Sequence, residues 1–114
     1  NDFNTEFGPA NVALHEVAVA IEVGDAGHAL RTAATVDTAA LSGERRARLH
    51  IDLARAHAQL RQVDQAVTAL RAAEAITPEQ VHNHRLVRRL VADLLTMQHP
   101  PSAELRELAD RVGA

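Results

Sequence analysis

The chain has 114 residues, a formal net charge of −3 with His neutral, 46% hydrophobic residues and no Cys. That length suits one domain with a single core. The mild acidity gives no global attraction to nucleic acid, and the missing cysteines exclude disulfides and thiolate chemistry. No stretch approaches the apolar length of a membrane span, and no secretory h-region is present, so no membrane partner is expected. All twelve basic residues are Arg, which most simply reflects a GC-rich coding genome. The chain begins at Asn1 without an initiator Met, so the expectation is a C-terminal fragment of a longer protein.

Gly8-Pro9 starts the first predicted helix, with Pro9 where its missing N–H costs nothing. Leu14, Val17, Ala18 and Ile21 then recur at i, i+3, i+4 and i+7 as one buried stripe. Gly24-Asp25-Ala26-Gly27 turns the chain into a second helix from about Ala26 to Val36, facing inward through Ala29, Leu30, Ala33 and Val36. Residues 37–43 form the longest connection, and Ser42 is placed as the N-cap of a third helix running to about Arg61. A fourth helix spans Asp64 to Ile76 with Asp64 as its N-cap. Thr77-Pro78-Glu79-Gln80 reads as cap, first-turn Pro and capping-box Gln, opening a fifth helix that buries Val87, Leu90, Val91 and Leu94. Pro100-Pro101 breaks it, and Ser102 through Val112 form a sixth helix buried through Leu105, Leu108 and Val112. No alternating β-branched run is bounded by turn residues, so the predicted class is all-α.

Within the third and fourth helices, His50-x2-Leu53-Ala54-x2-His57 is followed by Ala66-x3-Leu70, then Ala73 and Pro78. That is the spacing of the tetratricopeptide repeat. The small residues Ala54, Ala66 and Ala73 let antiparallel helices approach, while Leu53 and Leu70 fill the space between them. Ala29, Ala66 and Ala103 recur at an offset of 37 residues, slightly above the usual 34 because the connections are longer. The flanking hairpins match the pattern only loosely. The expected architecture is three stacked antiparallel helical hairpins, a tetratricopeptide-like α-solenoid forming one domain over residues 1–114. Stacked hairpins of this kind form a groove, which predicts binding rather than chemistry.

A narrower resemblance lies in three segments. They are Thr5-Glu6-Phe7-Gly8-Pro9 leading into Asn11-Val12-Ala13-Leu14-His15, the run Arg45-Arg46-Ala47-Arg48-Leu49-His50-Ile51-Asp52, and residues 86–97 before Pro100-Pro101. These are similar to the C-terminal repeat regions of actinobacterial helix-turn-helix transcriptional regulators. The resemblance implies the sensing or partner-binding part of a cytoplasmic transcription factor. It does not bring a DNA-reading helix pair into residues 1–114, so direct nucleic-acid binding by this segment is not expected.

Catalysis and metal binding find little footing. The five glycines are scattered at turns without a phosphate loop or nucleophile elbow, and Ser42 and Ser102 are both taken up as caps. Asp52 and Glu74 read as ordinary surface carboxylates on helices. His50 and His57 lie two turns apart, about 10 Å along a helix, too far to share a metal, and read as packing imidazoles with hydrogen-bonded rings. His82-x-His84 points to different sides of a helix and reads as a solvated helix start. No enzyme activity, cofactor or metal is predicted.

The groove candidates come from the first helix of each hairpin. They are His15 and Glu22, then Arg48, Asp52, Arg55 and Gln59, then Arg85, Arg88, Arg89 and Ala92. A guanidinium fork binds carboxylate or phosphate in bidentate fashion, so an acidic peptide or a small anion is the expected ligand. This reading requires that Arg48, Arg55, Arg85 and Arg88 converge and are not already paired with Asp52, Glu74 or Asp93. Otherwise they form a solvated, internally paired face. Phe3 and Phe7 either cap the first hairpin or expose apolar surface through which two chains form a homodimer. The expectation is a non-enzymatic interaction domain of a transcriptional regulator, with a protein or peptide partner. The rival is a stand-alone adaptor or scaffold, and the coding sequence upstream of Asn1 separates the two.

Overall fold

Pro9 opens α1 (Pro9–Glu22) with Gly8 as its N-cap, as the sequence predicts. The computed structural model describes residues 8–114, so Phe3 and Phe7 lie outside the described residues. α2 (Ala26–Ala33) follows a tight turn, and a 3-10 turn (Thr38–Ala40) occupies the long connection. α3 (Gly43–Gln59), α4 (Val63–Ile76), α5 (Pro78–His82), α6 (Arg85–Met97) and α7 (Ala103–Val112) complete the order. Every element among the described residues is helical.

Several boundaries are set by caps that the sequence identifies. Ser42 Oγ accepts from the Arg45 amide at 3.2 Å, and Ser102 Oγ accepts from the Leu105 amide at 3.1 Å. Others differ. α2 starts at Ala26 as expected, capped by Asp25, but stops at Ala33, three residues short of Val36, where the backbone tightens into turns at Thr35 and Val36. Asp64 is not an N-cap. α4 begins one residue before it, and Asp64 Oδ1 instead accepts from Gln98 Nε2 at 3.1 Å, tying α4 to the turn before α7. Thr77 makes no capping bond, and its hydroxyl is buried without a partner.

The expected fifth helix is two helices. α5 ends at His82, and α6 restarts where the His84 ring accepts from the Leu86 amide at 3.1 Å. Packing explains the break. Val81 and Val87 are both fully buried. In one continuous helix, residues six apart point about 120° away from each other, since each residue turns the chain about 100°. Val81 would then leave the stripe of Val87, Val91 and Leu94. Interrupting the helix lets both reach the core.

Consecutive helices pack as pairs: α1 with α2, α3 with α4, and α6 with α7. α3 also contacts α1 on one side and α6 on the other, while α4 contacts α7. Two apolar clusters result. One joins Val17, Ala20 and Ile21 of α1 to Ala29 and Ala33 of α2 and to Leu49 and Ala56 of α3. The other joins Ala47, Ile51, Ala54 and Ala58 of α3 to α4, α5, α6 and α7. Leu53 packs against both. α3 is therefore buried on two faces, and the molecule is elongated, 46 × 28 × 19 Å, around it.

Small residues carry the close approach between α3 and α4. Ala54, Ala66 and Ala73 are fully buried, as is Leu70. The C-terminal helix is tied back electrostatically: Arg111 grips Glu74 with Nε and Nη2 at 2.7 and 2.8 Å, and His82 Nε2 lies 2.6 Å from Glu74 Oε2. Arg111, whose hydrogen bonds are the largest influence, and His82 hold the Glu74 carboxyl below its ordinary range. Glu74 is thus no free surface carboxylate, and His82 is no solvated helix start.

If the α3–α4 contact depends on the missing side-chain volume at position 66, enlarging it must force the helices apart. Ala66→Leu is expected to cost on the order of 1–3 kcal/mol through overpacking. Thermal unfolding measures this, with circular dichroism checking that helicity is retained. An unchanged melting temperature would contradict the close approach.

Candidate functional site

α3 presents two adjoining rows of residues. Leu49, Leu53 and Ala56 face the first apolar cluster. Arg48, Asp52, Arg55 and Gln59 follow each other at four, three and four residues, which keeps them on one stripe. Asp52 lies where the rows meet, since it is also three residues after Leu49 and four before Ala56. It is 1% exposed, the single buried charged residue in the described core. The expectation of a surface carboxylate fails here because a helix packed on two faces has too little free perimeter for that position.

Burial pushes the Asp52 carboxyl above its ordinary value, while Arg48 and Arg55 pull it back. Arg48 Nε lies 3.7 Å and Arg55 Nη1 lies 3.5 Å from Asp52 Oδ1. Both distances are long for charge-assisted hydrogen bonds, so the pairing recovers only part of the desolvation cost. Arg55 extends the network: its Nη2 is 3.2 Å from Glu22 Oε1 on α1. Gln59 Nε2 donates to the Ile21 carbonyl at 3.0 Å, so α3 holds the end of α1 through two neighbouring side chains. His84 at the start of α6 faces the same cluster. Burial, then Arg48, Arg55 and Arg88, lower its pKa, and Asp52 opposes them.

These residues do not line one groove. They line two openings separated by the Arg48–Asp52–Arg55 row. A cleft of about 370 Å³ between α1 and α3 is walled by Asn11, Leu14, His15, Ala18, Arg45, Arg48 and Asp52. A groove of about 320 Å³ between α3 and α6 takes in Arg55, Gln59 and Arg89. Glu22 is engaged by Arg55, Arg88 adjoins His84, and Arg85 is exposed at the first position of α6. Ala92 is exposed on α6 and lines neither opening. The condition for a four-arginine anion groove is therefore not met. Arg48 and Arg55 already face Asp52, and their charge is partly spent inside the protein.

His50 and His57 occupy a third opening of about 500 Å³ on the α3–α4 surface, beside Leu53, Asp64 and Thr68. His57 Nδ1 is 2.8 Å from Gln62 Oε1, the carbonyl oxygen of a neighbouring side-chain amide. Burial, with Arg46 nearby, lowers the pKa of His50. Among the described residues, no group of three or more His, Asp or Glu is placed to hold a metal ion. His84, read from the sequence as part of a solvated helix start, does stand at a helix start, but its ring caps α6 and faces the Asp52 cluster. Its signal was available: a polar side chain two residues before a strong amphipathic stripe is a capping position.

The raised Asp52 pKa makes a prediction with a definite sign. A carboxyl whose folded pKa exceeds its unfolded value opposes folding once it is ionised. The penalty is absent below the unfolded pKa, near 4, and is fully present above the folded one. Asp52→Asn removes it while nearly keeping the shape. The variant is expected to melt at or above the wild-type temperature at pH 7, with the difference closing as the pH falls towards about 4. A variant less stable than wild type at pH 7 would mean that the arginine pairing outweighs desolvation.

Compared with protein-family models, with curated proteins and with solved structures, the chain matches none.

Proposed function

We propose that this chain is a tetratricopeptide-like interaction domain, built of three stacked helical hairpins, and that the α1–α3 cleft receives a peptide segment of a partner protein. The observation that carries this reading is the make-up of the cleft. Leu14 and Ala18 supply an apolar floor, while His15, Arg45, Arg48 and the buried Asp52 surround it with directional polar groups. Binding sites combine these two features, because apolar contact supplies affinity and a few placed polar groups fix orientation. Arg48 keeps 55% of its side-chain surface exposed despite its contact with Asp52, so its guanidinium reaches solvent at the cleft. A peptide with an apolar anchor beside a carboxylate fits this lining. The small-anion alternative has less support, since Asp52 opposes the positive charge at the same wall.

The resemblance of three segments to regulator C-terminal regions supports placing this domain in a transcriptional regulator. DNA reading then belongs to another part of that protein, and binding of a partner here biases that part or its assembly. The interaction role involves no chemical step.

Selection of random peptides displayed on phage against the purified chain tests the reading. Enriched sequences are expected to share an apolar residue next to Asp or Glu, and to lose binding to Ala18→Trp, whose indole would occupy the cleft floor. Arg48→Ala should weaken binding by about tenfold, the loss of one charge-assisted contact. Enriched peptides that bind Ala18→Trp as well as wild type would place the site elsewhere.

A further inference from the structure

The groove between α3 and α6 has a property that the α1–α3 cleft lacks. α6 buries Val87, Val91 and Leu94 against the core. A second stripe of the same helix, Leu86, Arg89, Leu90, Asp93 and Met97, lines the groove. Leu86 is 48% exposed, and Leu90 and Met97 are half-buried. Arg89 and Asp93 are exposed, and no ion pair among the described residues holds either one.

In chain order this stripe reads apolar, basic, apolar, acidic, apolar. In the reverse order it reads apolar, acidic, apolar, basic, apolar. Inverted about Val91 and Ala92, the two ends and the two charges of the stripe meet their complements, while Leu90 lies off that centre, opposite positions 92 and 93. An antiparallel copy of α6, related by a two-fold axis near Val91 and Ala92, brings Leu86 against Met97 of the partner subunit. It brings Arg89 against Asp93 of the partner subunit, and each contact occurs twice, as an isologous interface requires. A parallel pairing would set Arg89 against its own copy, so charge selects the antiparallel arrangement.

We propose that the α3–α6 groove is the homodimer interface of this protein, filled by α6 of a second copy. The α3 wall suits a helix there, because Ala58 is small and buried beneath it, with Arg55 and Gln59 beside it. By symmetry each α6 enters the other copy's groove, so α3, α6 and their copies form a four-helix bundle across the axis. A second copy matches the inverted charge order at both contacts at once, which is why it is favoured over an unrelated partner. The proposal is independent of the peptide reading, since it uses the other side of α3.

Sedimentation equilibrium of the full chain tests it, using charge reversals that work only between chains. The wild type is expected to dimerise. Arg89→Glu and Asp93→Arg should each weaken the dimer by about tenfold or more, because each homodimer then holds two like-charge contacts. An equimolar mixture of the two variants should recover the wild-type affinity. In the mixed dimer, the two substituted positions face each other with opposite charge, and the unsubstituted Arg89 and Asp93 face each other at the second contact. Recovery cannot come from within one chain, since neither variant has opposite charges at both positions. Because the chain has no Cys, Leu86→Cys mixed with Met97→Cys should also give a disulfide-linked heterodimer on oxidation. Ala18→Trp should dimerise like wild type, which separates this proposal from the cleft. Wild-type chain that stays monomeric up to about 1 mM, a dimer indifferent to both reversals, or a mixture no tighter than its components would overturn it.

Discussion

A carboxylate with almost no access to water sits in the middle of this protein, and the arrangement around α3 turns on it. α3 is the helix to which both apolar clusters belong, so any residue between its two buried faces loses solvent. Asp52 occupies that position, and an unpaired charge there would be untenable. Arg48 and Arg55, one turn on either side, supply the partners that make it tolerable. Their contacts are long, and the carboxyl stays harder to ionise than usual. A well-packed apolar residue of similar size would meet the same packing demand with no such cost. The charge is therefore not explained by stability. Groups kept at an energetic disadvantage are more common at sites that bind something than in plain cores, and Asp52 forms part of a cleft wall.

The same carboxylate makes the two openings electrostatically dependent on each other. Arg48 belongs to the α1–α3 cleft and Arg55 to the α3–α6 groove, and they share one oxygen of Asp52. A group that draws Arg48 away from Asp52 leaves Arg55 as its main counter-charge. A group that engages Arg55 competes with Glu22 as well as with Asp52. Because Glu22 ends α1, that competition reaches the packing of the first helical pair on the second.

Much of the helical content was legible because it depends on short-range rules. The Ser42 and Ser102 caps, the Pro9 start and the stripes at i, i+3, i+4 and i+7 each need only a few neighbouring residues to be read. The small residues at 54, 66 and 73 were legible for a related reason, since close helix approach demands them in a fixed order. Three features were not, and each depends on contacts distant in the chain. The break between α5 and α6 follows from two valines competing for one core. Asp64 left its expected cap because Gln98, 34 residues away, engages its carboxylate. Glu74 left the surface because Arg111, 37 residues away, reaches back to it. Periodicity within one helix carries no information about such partners.

The candidate groove shows the same division more sharply. Reading the row Arg48, Asp52, Arg55 and Gln59 as one face of α3 was correct geometry, because it used only helical spacing. Assigning that face to one shared groove assumed that its neighbours stand at equal distances on both sides. In the structure the row is a ridge. Arg48 and Arg55 at its crest face Asp52, and open space lies to either side of it. The acidic residue on this doubly packed helix converts the charge of the row from uniformly basic to mixed. That conversion changes which ligands fit. A uniformly basic channel favours any polyanion, whereas a mixed wall rewards only a ligand whose own charges are placed to match it.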